Sequence, residues 1–358
     1  LVVFSDGSFL GNPPIAEIAR KLGLKTKAEF PLYDLVVVGA GPAGLAAAVY
    51  GAADGLHTLL VEREAPGGQA GRSSRIENYL GFPVGLSGSD LARRAVAQAR
   101  RFGVEILAPQ EVKAVRVEGP TRVLTLEDGT EFGCRALLIA TGIAFRRLEV
   151  PGLDRLSGAG VHYYAPMSEA FSYRDGDIFI VGGANSAGQA AMYFSKFARQ
   201  VTMLVRGQCL SATMSQYLET QIAATKNIAL RFNSNVVAVG GEERCENITI
   251  IDSKTCVQET VPANALLIYA GAIPRTDWLT GVVERDEQGY LISGQHLIRE
   301  GRRPAGWTAD RDPFYLETSV PGIFVAGDVR HRSAKGVTSG VGEGAMAVKL
   351  VHEYLELL

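Results

Sequence analysis

Tyr33-Asp34-Leu35-Val36-Val37-Val38-Gly39-Ala40-Gly41-Pro42-Ala43-Gly44 is the stretch on which the fold turns. Asp34–Val38 has the length and β-branched content of a buried strand, and Gly44–Ala53 reads as a helix. Between them stands G-x-G-x-x-G. Gly39 allows a tight turn, Gly41 lets a pyrophosphate approach the backbone, and Gly44 lets the helix pack close to the sheet. Pro42 and Ala43 open a helix whose N-terminus offers free N–H groups and a favourable dipole to phosphate. The next strand, His57–Val61, closes on Glu62, eighteen residues after Gly44, where a carboxylate accepts hydrogen bonds from a ribose. Arg63 follows at the same end. A plain glycine-rich turn leaves Glu62 unexplained; a dinucleotide site explains it.

Working outward from Tyr33, short apolar runs alternate with longer amphipathic segments, the pattern of a parallel sheet with crossover helices. The spacing predicts a helix over Leu91–Phe102 capped by Ser89 or Asp90. A meander follows (Val112–Val117, Arg122–Leu126, Glu131–Phe132), turning at Asp128-Gly129. A separate strand, Ala136–Ile139, leads into Ala140-Thr141-Gly142. After Val150-Pro151-Gly152 the pattern repeats: strand Ile178–Val181, helix Ala187–Ala198, strand Val201–Val205, helix Met214–Ala224, a meander over Val236–Ile251, and strand Leu266–Ala270. From about Arg275 the first pattern returns, finishing in the helix Gly344–Leu357. The expected architecture is α/β. Two Rossmann-like three-layer ββα domains are predicted, the second (residues 149–274) inserted within the first (29–148 and 275–358). Residues 1–28 read as strand, turn, strand and a helix (Ile15–Lys21) ending at Gly23. They resemble the closing hairpin and helix of a thioredoxin- or glutaredoxin-fold domain, so a longer natural chain is expected there; an ordinary N-terminal arm is the alternative.

A chain of 358 residues, 47% hydrophobic and 21% charged, has room for two globular domains with substantial cores. Lys plus Arg number 36 against 38 Asp plus Glu, which gives no electrostatic case for nucleic acid or an anionic membrane. Cys134, Cys209, Cys245 and Cys256 form neither a C-x-x-C nor a zinc-ligand spacing with histidine. No metal is expected, a secreted disulfide framework is disfavoured, and the reducing cytoplasm is the expected compartment. Leu35–Ala53 is uncharged and nearly long enough to span a bilayer, but the fingerprint and Pro42 inside it favour a buried strand and helix. Residues 1–6 lack the basic region and apolar core of a signal peptide.

Further motifs occur in order: Gly67-Gly68-Gln69-Ala70; Ile76-Glu77-Asn78-Tyr79-Leu80-Gly81-Phe82-Pro83; Ala140-Thr141-Gly142; and Thr318-Ser319-Val320-Pro321-Gly322-Ile323-Phe324-Val325-Ala326-Gly327-Asp328. From about Tyr33 to its end the chain resembles the low-molecular-weight thioredoxin reductase family. The resemblance implies FAD in the first site, with Gly68, Gln69 and Asn78 lining the flavin and Asp328 holding its ribityl or phosphate end. Val112, Ala140, Thr141, Gly142 and Gly327 belong to the same implied set. Lys335, Gly336 and Val337 would sit at the pyrimidine edge, where N–H groups at a helix start stabilise negative charge on a reduced flavin. A homodimer is implied as well.

Gly182-Gly183-Ala184-Asn185-Ser186-Ala187 resembles the family's pyridine-nucleotide fingerprint. It departs at Ala184, where a glycine normally lets the pyrophosphate approach. Of the basic residues that select NADPH in the family, only Arg206 is in place; Gly207 and Ser211 stand at others. NADPH is favoured over NADH, and a domain that kept its fold but lost its ligand is the alternative.

The family carries a C-x-x-C and an acid just before that fingerprint. The thiolate forms a transient bond with flavin or substrate, and the acid supplies a proton. Here Gly160-Val161-His162-Tyr163 matches the lead-in. Tyr164 and Met167 then replace the redox cysteines and Ser168 the acid. A tyrosine and a methionine cannot perform dithiol exchange. Cys134 reads as a small core residue. Tyr163 and Tyr164 either shield the isoalloxazine face or fill the volume a disulfide left. His162 is a candidate proton donor beside the flavin, against a structural role.

Leu297–Phe314 reads as a solvated insertion or a docking surface, and Arg330-His331-Arg332 as a group over phosphate or facing an acidic redox protein. The leading expectation is an enzyme in which NAD(P)H reduces FAD. Electrons then pass to an unknown acceptor, such as a small redox protein, without a dithiol relay. Ferredoxin–NADP reductases of the thioredoxin-reductase type share this fold and also lack the pair. A second reading keeps disulfide (thioredoxin) reduction with thiols from another domain or partner. A third is a non-enzymatic flavin-binding sensor or interaction module.

Overall fold

The structure, a computed structural model, describes every residue except Ser5, Pro14, Ser74, Arg75, Glu77, Asn78, Pro166 and Ala212, and the backbone alone of residues 15, 16, 20, 72 and 167–169. Asn78, expected beside the flavin, thus lies outside the described residues. The chain divides into two units, Leu1–Ala144 with Ile273–Leu358, and Phe145–Ala272. Among the described residues six α-helices form: α1 (Ile15–Lys21), α2 (Pro42–Ala53), α3 (Gly88–Arg101), α4 (Asn185–Phe194), α5 (Gln216–Ala224) and α6 (Val337–Leu355). None is long and apolar enough to cross a membrane.

The sheet of the first unit runs Glu105–Leu107, Thr58–Val61, Leu32–Val38, Glu131–Ile139, Thr121–Leu126, Val112–Glu118, with Ile323–Val325 pairing on the far half of Glu131–Ile139. Its core strands are parallel, and the last two strands of that order form an antiparallel meander with the near half of Glu131–Ile139. Leu35, Val37, Leu60, Ala136 and Leu138 pack with Ala43 and Ala47 of α2, Ala99 of α3 and Val351 of α6. The alternate residues Val36, Val38, Leu59, Val61, Leu137 and Ile139 pack with Val115, Leu124 and Phe132 of the meander. Because both faces are covered, the central strand reads as an unbroken apolar run and not as an alternation.

Helix α6 begins at Val337, ahead of the predicted Gly344, and two further expectations in this unit need correction. Glu131–Phe132 and Ala136–Ile139 are one strand: Cys134 pairs with Arg122 on one side and Tyr33 on the other, so the chain changes partners without a break. Helix α3 begins at Gly88, and its cap is Ser87, whose Oγ accepts from Asp90 N at 3.1 Å. A β-carbon at Gly88 would lie 1.7 Å from the Ala70 carbonyl oxygen, so glycine lets the helix start this early.

The second unit repeats the plan. Val161–Tyr163, Ala265–Ile268, Asp177–Val181, Gln200–Leu204 and Ile228–Arg231 form a parallel sheet in that order. Ile178, Ile180, Val201 and Met203 face α4 and α5, while Phe179 and Leu204 face the meander Ser234–Gly240, Asn247–Asp252, Gln258–Pro262. Helix α4 ends at Phe194, short of the predicted Ala198. Asn227 Nδ2 donates to the Ser195 and Ala198 carbonyls and so satisfies the chain end there. In the N-terminal arm, Val2–Val3 pairs antiparallel with Phe9–Leu10 ahead of α1.

Candidate cofactor site

In the first unit the fingerprint turn is tight on one side and open on the other. Gly39 has φ +104°, and a β-carbon there would lie 2.4 Å from the Ala140 carbonyl oxygen. At Gly44 it would lie 1.8 Å from the Gly39 carbonyl oxygen, so helix and strand cross at glycine-only distance. At Gly41, the N-cap of α2, a β-carbon would meet nothing within 4 Å. Pro42 occupies the first turn, and no side chain caps the helix. Its N-terminal N–H groups are therefore free of side-chain competition for an anion.

Glu62 is nearly buried at 9% exposure. Its Oε2 accepts from Ala40 N at 2.7 Å and its Oε1 from Glu64 N at 2.9 Å. The carboxylate thus braces the fingerprint turn, and each oxygen keeps a lone pair for a sugar hydroxyl. Arg63 is exposed, between Glu64 and Glu111.

Around this turn the structure gathers several expected residues. Gly67 N donates to the Ala40 carbonyl at 2.7 Å, and a β-carbon at Gly68 would approach Gly41 Cα to 3.0 Å. Gln69 is half-buried, with Nε2 at 3.4 Å from the Ile143 carbonyl oxygen. Ala140 N donates to the Val38 carbonyl at 2.8 Å, and Thr141 Oγ1 to the Arg275 carbonyl at 3.1 Å. Gly142 has φ +62° and open space at its β position. Val112 is buried in the meander-side core.

The last helix reaches the same place. A β-carbon at Gly344 would lie 2.1 Å from the Ala43 carbonyl oxygen, and Gly340 also faces Ala43. The first turns of α2 and α6 therefore adjoin. Gly336 caps α6 with φ +146° and no side-chain cap. Asp328 Oδ1 accepts from Gly336 N at 3.1 Å, and Lys335 Nζ donates to the Asp328 carbonyl at 2.5 Å from above the Tyr290 ring. Burial pushes the Asp328 carboxyl up and the Lys335 amine down. Two helix ends without side-chain caps, a glycine cradle and a carboxylate beside it suit a ligand with a diphosphate and a sugar.

Sequence reasoning missed Glu343, which accepts from Gly327 N at 2.7 Å and pairs with Arg330 at 2.5 Å. The available signal was an acid among the small residues of Gly340–Met346. Arg330 is 5% exposed, so its expected place over phosphate or facing a partner is corrected: its charge is committed to Glu343. His331 Nδ1 meets Asp286 Oδ2 at 2.7 Å. The insertion Leu297–Phe314 is a mostly exposed loop, in keeping with the solvated reading, and is anchored at one point. Arg311 grips the fully buried Glu317 at 2.6 and 2.9 Å and lies 3.9 Å over the Phe314 ring.

In the second unit, Gly182 has φ +147°, and a β-carbon there would lie 2.9 Å from the Tyr269 carbonyl oxygen. At Gly183 it would approach Val205 Cγ1 to 2.9 Å. Ala184, the N-cap of α4, has φ −102° and ψ 175°, an extended geometry open to any residue, and is exposed. Asn185 Oδ1 accepts from Ser215 N at 2.8 Å; Ser186 is exposed and Ala187 buried. Arg206 is exposed just past Gln200–Leu204, with no hydrogen bond or ion pair to the described residues.

Tyr163 stacks on Phe145 and its hydroxyl accepts from Leu148 N at 2.9 Å. Tyr164, left-handed at φ +48°, stacks on Phe145 at 4.8 Å and meets the Tyr269 ring, tilted, at 4.9 Å. His162 Nε2 lies 2.6 Å from Tyr173 Oη, and burial pulls the imidazole down to about 4. It is neutral at pH 7. Met167 and Ser168 begin a 3₁₀ turn, Met167–Tyr173. All four cysteines are free; burial pushes the Cys134 thiol up to about 12 and Cys245 to about 11. Among the described residues no group of three or more His, Cys, Asp or Glu could hold a metal ion.

Comparison with known proteins agrees with this architecture. Residues 33–344 match the profile of the family described as pyridine nucleotide-disulphide oxidoreductase. The thioredoxin reductase of Bacillus subtilis (strain 168) is 31% identical over 331 residues, 92% of this chain and 97% of that protein. A 34.2 kDa protein in the rubredoxin operon of Clostridium pasteurianum is 30% identical over 322 residues, 90% of this chain and 97% of that protein. Among solved structures, thioredoxin reductase from Streptococcus pyogenes MGAS5005 superposes with a TM-score of 0.80 at 31% identity, covering 92% of this chain and 99% of that one.

Proposed function

The chain belongs to the pyridine nucleotide-disulphide oxidoreductase family, and from that membership we propose an FAD-dependent NAD(P)H oxidoreductase that serves its acceptor without a dithiol of its own. Its cofactors, FAD and a pyridine nucleotide, are those of the family. FAD held in the first unit would supply hydride acceptance from a reduced nicotinamide and one- or two-electron delivery to an acceptor.

The residues contribute binding and electrostatics. Gly39, Gly41, Pro42, Ala43 and Gly44 admit the diphosphate to the free end of α2, and Glu62 meets the ribose. Gly68, Gln69 and Thr141 would line the flavin, Asp328 would hold its ribityl or phosphate end, and Lys335, Gly336 and Val337 would meet its pyrimidine edge from the start of α6. In the second unit Gly182, Gly183 and Asn185 present α4 to the pyridine nucleotide, and Arg206, which has no partner among the described residues, is placed to take a 2′-phosphate. NADPH is the expected donor.

One observation carries the proposal: residues 160–168 contain no cysteine, and Tyr164 is packed between Phe145 and Tyr269. Their own partners support the space-filling role of Tyr163 and Tyr164, and the neutral, Tyr173-bonded imidazole supports a structural role for His162. The acceptor we expect is a small redox protein, and the enzyme a homodimer. Anaerobic addition of NADPH, then NADH, should bleach the flavin absorbance, while thioredoxin added to the same sample stays oxidised. Thioredoxin reduction by the purified chain alone would reject the proposal.

A second reading, disulfide reduction with thiols from another domain or partner, draws on the arm. Its hairpin and α1 leave Val3, Phe9 and Leu22 more than half exposed. Mixing the protein with a separately purified dithiol domain and assaying disulfide reduction tests it; no rate above the two components alone removes it.

A further inference from the structure

We infer that Glu343 and Arg330 act as a positioning pair, holding the Gly327-Asp328 turn against the first turns of α2 and α6 while keeping that region neutral, so that FAD affinity and flavin potential depend on both. The inference rests on the proposal that the first unit binds FAD.

Three contacts fix the turn. A β-carbon at Gly327 would lie 2.9 Å from Ala43 Cβ, so the turn already touches the first turn of α2. Asp328 Oδ1 accepts from Gly336 N, the cap of α6. Glu343 Oε2 accepts from Gly327 N at 2.7 Å, reaching back from the second turn of α6. The other oxygen of the same carboxylate takes Arg330 Nη2 at 2.5 Å. Side-chain exposures are 6% for Arg330 and 13% for Glu343. Arg330 Nη1 donates to the His331 carbonyl at 3.2 Å and its guanidinium lies 5.3 Å over Tyr315.

A buried ion pair contributes little net stability, since desolvating two charges offsets their attraction. Apolar side chains would fill this volume as well. An ion pair does two things they cannot. Its carboxylate satisfies the Gly327 N–H, and its guanidinium cancels an anion standing beside a helix N-terminus whose field favours anionic ligands. Glu343 alone would oppose that field; Arg330 alone would add to it. Reduction of the flavin adds negative charge, so the two single losses must move its potential in opposite directions.

The test is FAD titration of the apoprotein by flavin fluorescence, and the two-electron midpoint potential, for wild type, Glu343→Gln, Arg330→Met and the double variant. Glu343→Gln keeps an acceptor for Gly327 N and leaves Arg330 positive, so the potential rises. Arg330→Met leaves Glu343 negative, so the potential falls and FAD binds about tenfold more weakly. A tenfold change in the preference for reduced over oxidised flavin is about 30 mV for a two-electron couple. The double variant returns close to the wild-type potential. Single variants that shift the potential the same way, or not at all, overturn the inference. If Arg330→Met fails to fold, Glu343→Gln and the double variant still decide it by sign: a rise in the first that persists in the second rejects charge balance. A wild-type protein that takes up no FAD would instead overturn the cofactor proposal itself.

Discussion

At Gly44 of the first fingerprint a β-carbon would lie 1.8 Å from the Gly39 carbonyl oxygen, whereas Ala187, the corresponding residue of the second, carries a buried methyl against Gly182. The first helix therefore crosses its strand more closely than the second. At the middle glycine the contrast has another cause. Gly41 and Ala184 are both extended N-caps, with ψ −175° and 175°, so neither position requires glycine for its backbone. What Gly41 preserves is open space at its β position. The two turns separate what a glycine does for the fold from what it does for a ligand.

The largest test of that separation is Gly44→Ala. It should destabilise the protein by about 3 kcal/mol or more, because backbone must move; denaturant unfolding of the apoprotein measures it. A loss below about 1 kcal/mol would show that the crossing has slack. The mirror substitution, Ala187→Gly, should cost only about 1–2 kcal/mol through helix propensity and a lost buried methyl.

Next comes Gly41→Ala, which copies the second turn into the first. Apoprotein stability should stay within about 0.5 kcal/mol, while FAD affinity falls about tenfold or more, a penalty of about 1.4 kcal/mol in binding. The reverse change, Ala184→Gly, should lower the KM for the pyridine nucleotide several-fold without loss of fold, as glycine is well tolerated at an N-cap. Equal effects of Gly41→Ala on stability and binding would dissolve the distinction.

The comparison extends to the strand Val161–Tyr163 of the second unit. His162 is held near pKa 4 by burial, below its unfolded value of 6.5. Between these values the unfolded chain binds the proton and the folded one does not, so stability is full above about pH 6.5 and is lost as pH falls towards 4. From pH 7 to pH 5 the loss should be about 1–2 kcal/mol and should shrink in His162→Gln. A pH profile unchanged by the substitution would place the proton elsewhere. Smallest is Arg206→Gln, expected to raise the KM for NADPH about fivefold, about 1 kcal/mol, and to leave that for NADH alone. Equal changes for both nucleotides would deny Arg206 the 2′-phosphate.

Much of the fold was legible because its signals are local. The run Leu35–Val38 announced a strand covered on both faces, and the packing of alternate residues into two different cores follows from its position mid-sheet. The fingerprint glycines were legible because backbone geometry at a turn restricts residue choice. Element ends were less so. Ser87 caps α3 where Ser89 or Asp90 was expected, since Gly88 can pass Ala70 closely, and α4 stops early because Asn227 takes carbonyls at its end. The strand Glu131–Ile139 read as two pieces because its partners change midway.

The sequence by itself determined the two strand–turn–helix units, the acid at Glu62 and the absence of a cysteine pair, because each is set by residue type within one short stretch. Only the tertiary structure decided that Arg330 belongs to Glu343, Arg311 to Glu317 and Tyr164 to Phe145 and Tyr269. Such partnerships depend on distance in space and on burial, and a side chain's charge or ring says nothing of either until the chain has closed around it.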